Sequence, residues 1–188
     1  MLVERFPDLS SMRVLDLGGT ATSWQLAPIR PAHVVVVNTE AAPPSEDVES
    51  VAADACDLPP ELRRGFDLVY SNSVIEHVGG HARREAFARS VMQAAPHCWV
   101  QTPYRYFPIE PHWVFPGFQF LPTGAAAALT KRWRLGHRYA PSASTSQAVA
   151  SVLSVELLDR HQLRHLFPTC EIVNERFAGL VKSIVAVR

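Results

Sequence analysis

His33-Val34-Val35-Val36-Val37 places four β-branched residues in a row. A strand with one wet face alternates apolar and polar side chains. An unbroken run suits a strand covered on both faces, as in a parallel sheet between helical layers. The surrounding segments fit that demand. Met12-Arg13-Val14-Leu15-Asp16-Leu17 reads as a strand cut off by Gly18-Gly19, with further strands expected at 49–53, 66–70 and 97–101. Between the last two, residues 81–95 set Ala82, Phe87, Val91 and Met92 among Arg83, Arg84, Glu85 and Arg89, a helical pattern. Residues 2–9 read as a leading helix. Alternating strands and helices predict an α/β fold, a Rossmann-like doubly wound sheet that is mostly parallel. The tail differs: 156–167 reads as a helix ended by Pro168, and 170–177 with 180–187 as an antiparallel hairpin around Ala178-Gly179.

One segment resists this scheme. Residues 102–150 carry Pro103, Pro108, Pro111, Pro116 and Pro122 among many aromatics, and no regular element fits the first half. The stretch 123–139 reads as helical, and 140–151, rich in Ser, Ala and Thr, reads as a mobile connector. Long loops in compact domains are functional or disordered, and aromatic content argues against disorder. A length of 188 residues and a hydrophobic content of 47% suit one domain, 1–188, bearing this insertion. No internal repeat is present.

Composition excludes several roles. Lys+Arg and Asp+Glu are both 18, so a nucleic-acid partner is not expected, Lys131, Arg132 and Arg134 being read as a solvated helix face. Cys56, Cys98 and Cys170 form no CxxC pair, which disfavours a disulfide framework or zinc site. No apolar run reaches the roughly 18–20 residues of a membrane span. The start lacks the basic and apolar stretches of a signal peptide, so a cytoplasmic location is expected.

The first strand ends in Asp16-Leu17-Gly18-Gly19-Thr20. A glycine turn after a strand lets backbone approach a ligand at the carboxyl edge of the sheet. Alone, it fits any nucleotide site or a tight turn, and it lacks the GxGxxG spacing of a dinucleotide fingerprint. The order of the later strand ends narrows the choice: Asn38-Thr39-Glu40 after the second strand, Ala53-Asp54-Ala55 with Leu58-Pro59 after the third, then the run from Phe66 to Val78. The series VLDLGGT, VVVVNTE, ADACDLP and FDLVYSNSVIEHV resembles the ordered motifs of class I methyltransferases dependent on S-adenosylmethionine (SAM), nearest to the group with a strand-four segment FD-x-V-x-x-x-x-V-x-EH. It covers residues 12–102, and the closing hairpin fits as well.

The resemblance implies SAM as cofactor and a role for each matching residue. Asp16 lies near the methionine amino group, and Gly18, Gly19 and Thr20 let backbone pass the cofactor. Asn38 or Glu40 holds the ribose, Asp54 with the Ala55 amide reads the adenine, and Ser71 and Asn72 line the methionine end. Ala21 and Thr22 stand where the family usually has a third glycine, and Trp24 is a candidate to close that side. Glu76 and His77 read as a helix end, with His77 also a candidate ligand contact; Asp67 reads as a backbone brace.

The acceptor side begins at Thr102-Pro103-Tyr104-Arg105-Tyr106-Phe107-Pro108-Ile109-Glu110-Pro111-His112, similar to TP-x-x-x-FP-x-E-x-H segments that border the acceptor pocket in part of the family. Methyl transfer needs alignment of donor and acceptor. A hydroxyl acceptor must also lose a proton, which suits a neutral histidine near pH 7. His112 is the candidate base and Glu110 its orienting carboxylate. A divalent ion on Glu110, His112 and His77 is the competing role. Magnesium prefers oxygen, so no metal is expected. Tyr104, Tyr106, Phe107, Trp113, Phe115, Phe118 and Phe120 could stack on a small-molecule acceptor, or form a core or a homodimer patch. The expected activity is O-methylation of a small molecule such as a sugar or secondary metabolite. The alternative is a catalytically silent SAM-binding scaffold.

Overall fold

The computed structural model describes residues 1–41, 43, 48–136 and 141–188. Its main sheet contains β1 (Arg13–Leu17), β2 (His33–Asn38), β3 (Val48–Ala52), β4 (Leu68–Asn72), β5 (His97–Pro103), β8 (Glu171–Phe177) and β9 (Leu180–Val187). Their order is β3-β2-β1-β4-β5-β9-β8, parallel except where β9 pairs with β5 and β8. The valine run explains the two-sided cover. Val35 and Val37 join Leu15, Leu17, Val69 and Val100 beneath Phe87 and Val91 on one face. Val34 and Val36 join Val14, Leu68 and Trp99 beneath Phe6, Leu9 and Trp24 on the other. The strand order reverses at β1, which lies between β2 and β4, so the carboxyl ends of these strands open a crevice there.

The helices depart from the sequence reading at several ends. The leading helix splits into α1 (Leu2–Arg5) and a 3₁₀ turn at Leu9–Ser11, with Pro7 between them. A short α2 (Ala21–Gln25) follows the glycine turn, and α3 (His81–Ala94) fills the expected place. The helix expected over 156–167 forms only as α6 (Arg160–Leu166), because Asp159 and Gln162 close a capping box that fixes its start. Residues 156–158 before it are not helical, and Leu158 forms a bridge with Tyr104.

The segment expected to be an insertion, 102–150, has a small core of its own. A two-stranded ribbon, β6 (Ile109–Glu110) with β7 (Phe115–Pro116), and a 3₁₀ turn at Phe118–Phe120 occupy the half that showed no pattern. Next comes α4 (Thr123–Arg132), shorter than the 123–139 stretch; residues 137–140 lie outside the described residues. The supposed connector is a helix, α5 (Thr145–Leu153), whose start Ser144 caps by accepting from the Gln147 amide. Trp113, Phe118 and Ala126 are buried together, with Leu129 and Val152 packed against them. Two of the aromatics are therefore core, while Tyr106 and Phe120 stack on each other at the surface. Cys98 and Cys170 are free thiols with Sγ atoms 3.5 Å apart. No described helix is long and apolar enough to cross a membrane.

Candidate active site

The crevice at the carboxyl ends of the parallel strands is a cleft of about 320 Å³ lined by Gly18, Asn38, Thr39, Ala53, Asp54, Ala55, Ser73, Val74 and His77, among others. That is the lower end of the range of small-molecule sites, roughly 300–1,000 Å³. Asp16 lies beside it, 1% exposed. Its Oδ2 accepts a hydrogen bond of 2.7 Å from the Trp24 indole, and its Oδ1 is buried with no hydrogen-bond partner among the described residues. Burial, opposed by the indole bond, pushes the Asp16 carboxyl up to about 7. A carboxylate so placed has an oxygen in reserve for a cationic ligand group. The adjacent glycine makes this possible: a Cβ on Gly19 would lie 1.7 Å from Asp16 Oδ2. Gly19 thus makes room for the aspartate, and Gly18 for the Val74 side chain.

Several predicted contacts are already occupied. Asp54 receives both Arg83 guanidinium nitrogens, at 2.8 and 2.9 Å, and the Cys56 amide, which together hold its carboxyl below the ordinary range despite partial burial. Ser71 is fully buried, and its hydroxyl donates to the Leu17 carbonyl, so it braces β4 on β1 and does not face the cleft. Thr20 caps α2 by accepting from the Ser23 amide. Trp24 is buried under Asp16 and against Tyr70, holding the carboxylate from beneath. Of the two ribose candidates, Asn38 lines the cleft and donates to the Gly19 carbonyl, while Glu40 is exposed and outside the lining. Asn72 is exposed at the end of β4 and accepts from Ser73. Asp67 accepts from the Arg13 amide, a brace as expected.

His77 lines this cleft, and a second cavity of about 350 Å³ is lined by Arg105, Glu110, Trp113 and Phe118 from the 102–150 segment and by residues after it such as Val152 and Glu156. His112 touches a lining residue of each, His77 of the first and Glu110 of the second. Its Nδ1 donates 2.7 Å to Glu110 Oε1, while Glu110 Oε2 accepts from the Trp113 amide. Its Nε2 lies 3.0 Å from His77 Nε2, and His77 Nδ1 donates to the Ser154 carbonyl. Burial works against the His112 cation, but Glu110 and Glu76 outweigh it and its pKa rises; burial and the neighbouring His112 lower that of His77. Gly136, at φ +60, packs against this loop so tightly that a Cβ would lie 1.9 Å from the His112 carbonyl oxygen.

Glu76 is the residue that sequence reasoning misplaced. The expected helix end is a turn, and Glu76 within it is 1% exposed, with Oε2 accepting from Thr102 and Oε1, without a hydrogen-bond partner among the described residues, 3.9 Å from His112 Nε2. Burial raises its pKa. Its hydroxyl partner lies 26 positions away, so no local pattern announces the burial. Arg83, the partner that covers Asp54, reads from sequence only as the polar face of a helix.

No family model matches the sequence, and no curated protein matches it. Solved structures do. A SAM-dependent methyltransferase from Mesorhizobium loti superposes with a TM-score of 0.60 at 15% identity, covering 99% of this chain and 94% of that one. The N-terminal domain of EvdMO1, solved with S-adenosylhomocysteine bound, gives 0.54 at 19% identity over 99% and 76%. The N-methyltransferase NodS from Bradyrhizobium japonicum gives 0.53 at 11% over 99% and 90%. The chain has the fold of class I SAM-dependent methyltransferases.

Proposed function

We propose that the chain is a SAM-dependent methyltransferase that methylates a hydroxyl of a small acceptor. The observation that carries the acceptor side is His112, which joins the cleft through His77 to the insertion cavity through Glu110. An acceptor lying in the second cavity with its nucleophile toward the cleft would pass this histidine.

The residues present fit the cofactor in two places. The free Asp16 Oδ1 suits the ammonium of the methionine part, and Asn38 at the edge of β2 suits the ribose. The adenine end fits less directly, since Asp54 reaches an amino group only if Arg83 releases it. When bound, SAM supplies a methyl group already activated by its sulfonium charge. The protein aligns the acceptor and takes up its proton. Glu110 fixes the His112 ring with Nδ1 protonated, which leaves Nε2 as the basic atom.

Calorimetric titration with S-adenosylhomocysteine tests the first half. Binding in the micromolar range is expected, and none at high micromolar ligand overturns it. Binding together with no transfer across a broad panel of hydroxyl, amine and carbon acceptors would instead favour the silent scaffold.

A further inference from the structure

Two imidazole nitrogens face each other across 3.0 Å, and each ring's other nitrogen is committed as a donor. His77 Nδ1 meets a carbonyl oxygen, Ser154 O, and His112 Nδ1 meets the Glu110 carboxylate. Neither partner can donate in return, so in the neutral rings both Nε2 atoms present lone pairs. Lone pairs held that close require something positive between them. A shared proton would satisfy the two nitrogens. It would leave Glu76 Oε1, which is buried beside them without a hydrogen-bond partner among the described residues, still unsatisfied.

We propose that Glu76, His77 and His112 form a binding site for one divalent first-row transition ion. Their three ligand atoms lie within 4.8 Å of one another. An ion at roughly 2.0–2.2 Å from each donor spaces adjacent donors by roughly 3.0–3.5 Å. The 3.0 Å histidine pair meets that spacing as it stands, and Glu76 Oε1, at 3.9 Å, closes on it by about half an ångström. The supporting shell is present as well. Metal-binding histidines donate their remaining N–H to a carboxylate or backbone carbonyl, and ligating carboxylates are themselves hydrogen-bonded. Glu110, the Ser154 carbonyl and Thr102 hold those places. Two imidazoles and one carboxylate select zinc, iron, cobalt or a neighbour over magnesium, and leave an open position for a further ligand.

This inference rests on the proposed function only for what the ion does. With Nε2 on the metal, His112 acts through the ion. An acceptor hydroxyl at the open position loses its proton to solvent because coordination lowers its pKa. The oxygen lone pair then forms the C–O bond as the C–S bond breaks, and the sulfur keeps that electron pair.

Full-length protein freed of metal by chelation would be titrated with Co²⁺, followed by its visible absorption, and with Zn²⁺ in competition. One ion per chain is expected, with a rise in melting temperature. The variants His77→Ala, His112→Ala and Glu76→Gln should each weaken binding by at least a hundredfold. Glu110→Gln, a positioning change, should weaken it about 10–100-fold. Glu76→Gln keeps an acceptor for Thr102, and His77→Ala removes a partly exposed side chain, so folding can be checked from their melts. The proposal falls if no Co²⁺ spectrum develops in tenfold excess. It also falls if binding survives all three ligand variants, or is lost only with His81→Ala or His165→Ala in the exposed His81–Glu85–His165 group. S-adenosylhomocysteine binding, measured on the same metal-free sample, separates the two ideas: cofactor binding without Co²⁺ removes the ion alone, and Co²⁺ binding without cofactor removes the methyltransferase reading alone.

Discussion

The cleft at the strand ends and the histidine cluster beneath the insertion treat polar atoms in opposite ways. In the cleft nearly every candidate side chain already has a partner: Asp54 has Arg83, Ser71 has the Leu17 carbonyl, and Thr20 has Ser23. Asp16 keeps a buried oxygen with no hydrogen-bond partner among the described residues. In the cluster, every outer atom is tied down and the inner atoms converge: His77 Nε2 and His112 Nε2 face each other at 3.0 Å, and beside them Glu76 Oε1 has no hydrogen-bond partner among the described residues. The first arrangement suits recognition by shape and one charge. The second is preorganised, since fixed outer partners aim reactive atoms at one point. Both regions depend on a glycine pressed against the group that matters, Gly19 against Asp16 and Gly136 against His112.

The contrast is broken most severely at His112. Replacing it with alanine should cut turnover about 10²–10⁴-fold, the usual cost of losing a group that handles the acceptor proton. Affinity for S-adenosylhomocysteine should stay within about twofold, because Asp16 and Asn38 are untouched; steady-state rates beside calorimetry check both. An equal loss of rate and cofactor affinity would show that the two regions are one unit.

The glycines sharpen the same division. Gly19→Ala must displace the Asp16 carboxylate, and Gly136→Ala must shift the His112 backbone. Overpacking of this kind costs about 1–3 kcal/mol, and at Gly136 the positive φ adds about 1–2 kcal/mol. Their signatures should differ. Gly19→Ala should weaken cofactor binding with little change in the metal titration, whereas Gly136→Ala should do the reverse. Denaturant melts give the stability change, and the two titrations give the assignment.

How much of the molecule is readable in the chain depends on how local each cause is. The valine run declared a strand covered on both faces, since burial of consecutive side chains is written in consecutive residues. His112 and Glu110 were legible as a pair because two positions separate them. Glu76 was not. An acidic residue before a histidine after a strand reads as a helix end, and the hydroxyl that meets its buried carboxyl group, Thr102, is 26 positions away. The Arg83–Asp54 pair spans 29 positions and was invisible for the same reason. The helix Thr145–Leu153 was missed because Ser, Ala and Thr carry little apolar periodicity. Its order comes from the Ser144 cap and from packing on α4.

Asp16 gives a subtler test of the cleft. Its folded-state pKa, about 7, lies above the ordinary carboxylate value, so the neutral form is the one the buried site favours. The stability associated with Asp16 is therefore fully present at acid pH and is lost as pH rises through about 7. A ligand ammonium prefers the opposite, ionised form. Between about pH 5.5 and 7, S-adenosylhomocysteine affinity should rise by up to roughly tenfold per pH unit and then level off. Asp16→Asn keeps an acceptor for the Trp24 indole and should flatten both profiles. A pH-independent wild type would place the ammonium elsewhere.

The smallest effect tests the helix that covers the second cavity. Ser144 accepts from the Gln147 amide at the start of Thr145–Leu153, and Val152 from that helix packs on the core containing Trp113. Ser144→Ala removes the cap and should cost about 1 kcal/mol. The loss should be local. Hydrogen exchange should quicken in 145–153 while the amides of the sheet keep their protection, because those amides open only with larger free energies. Ser154, whose carbonyl receives the His77 N–H, lies one residue past this helix, so fraying there also loosens one side of the histidine cluster. Uniform acceleration across the sheet would mean that the insertion and the strand scaffold unfold together, and the division between recognition cleft and preorganised cluster would lose its structural basis.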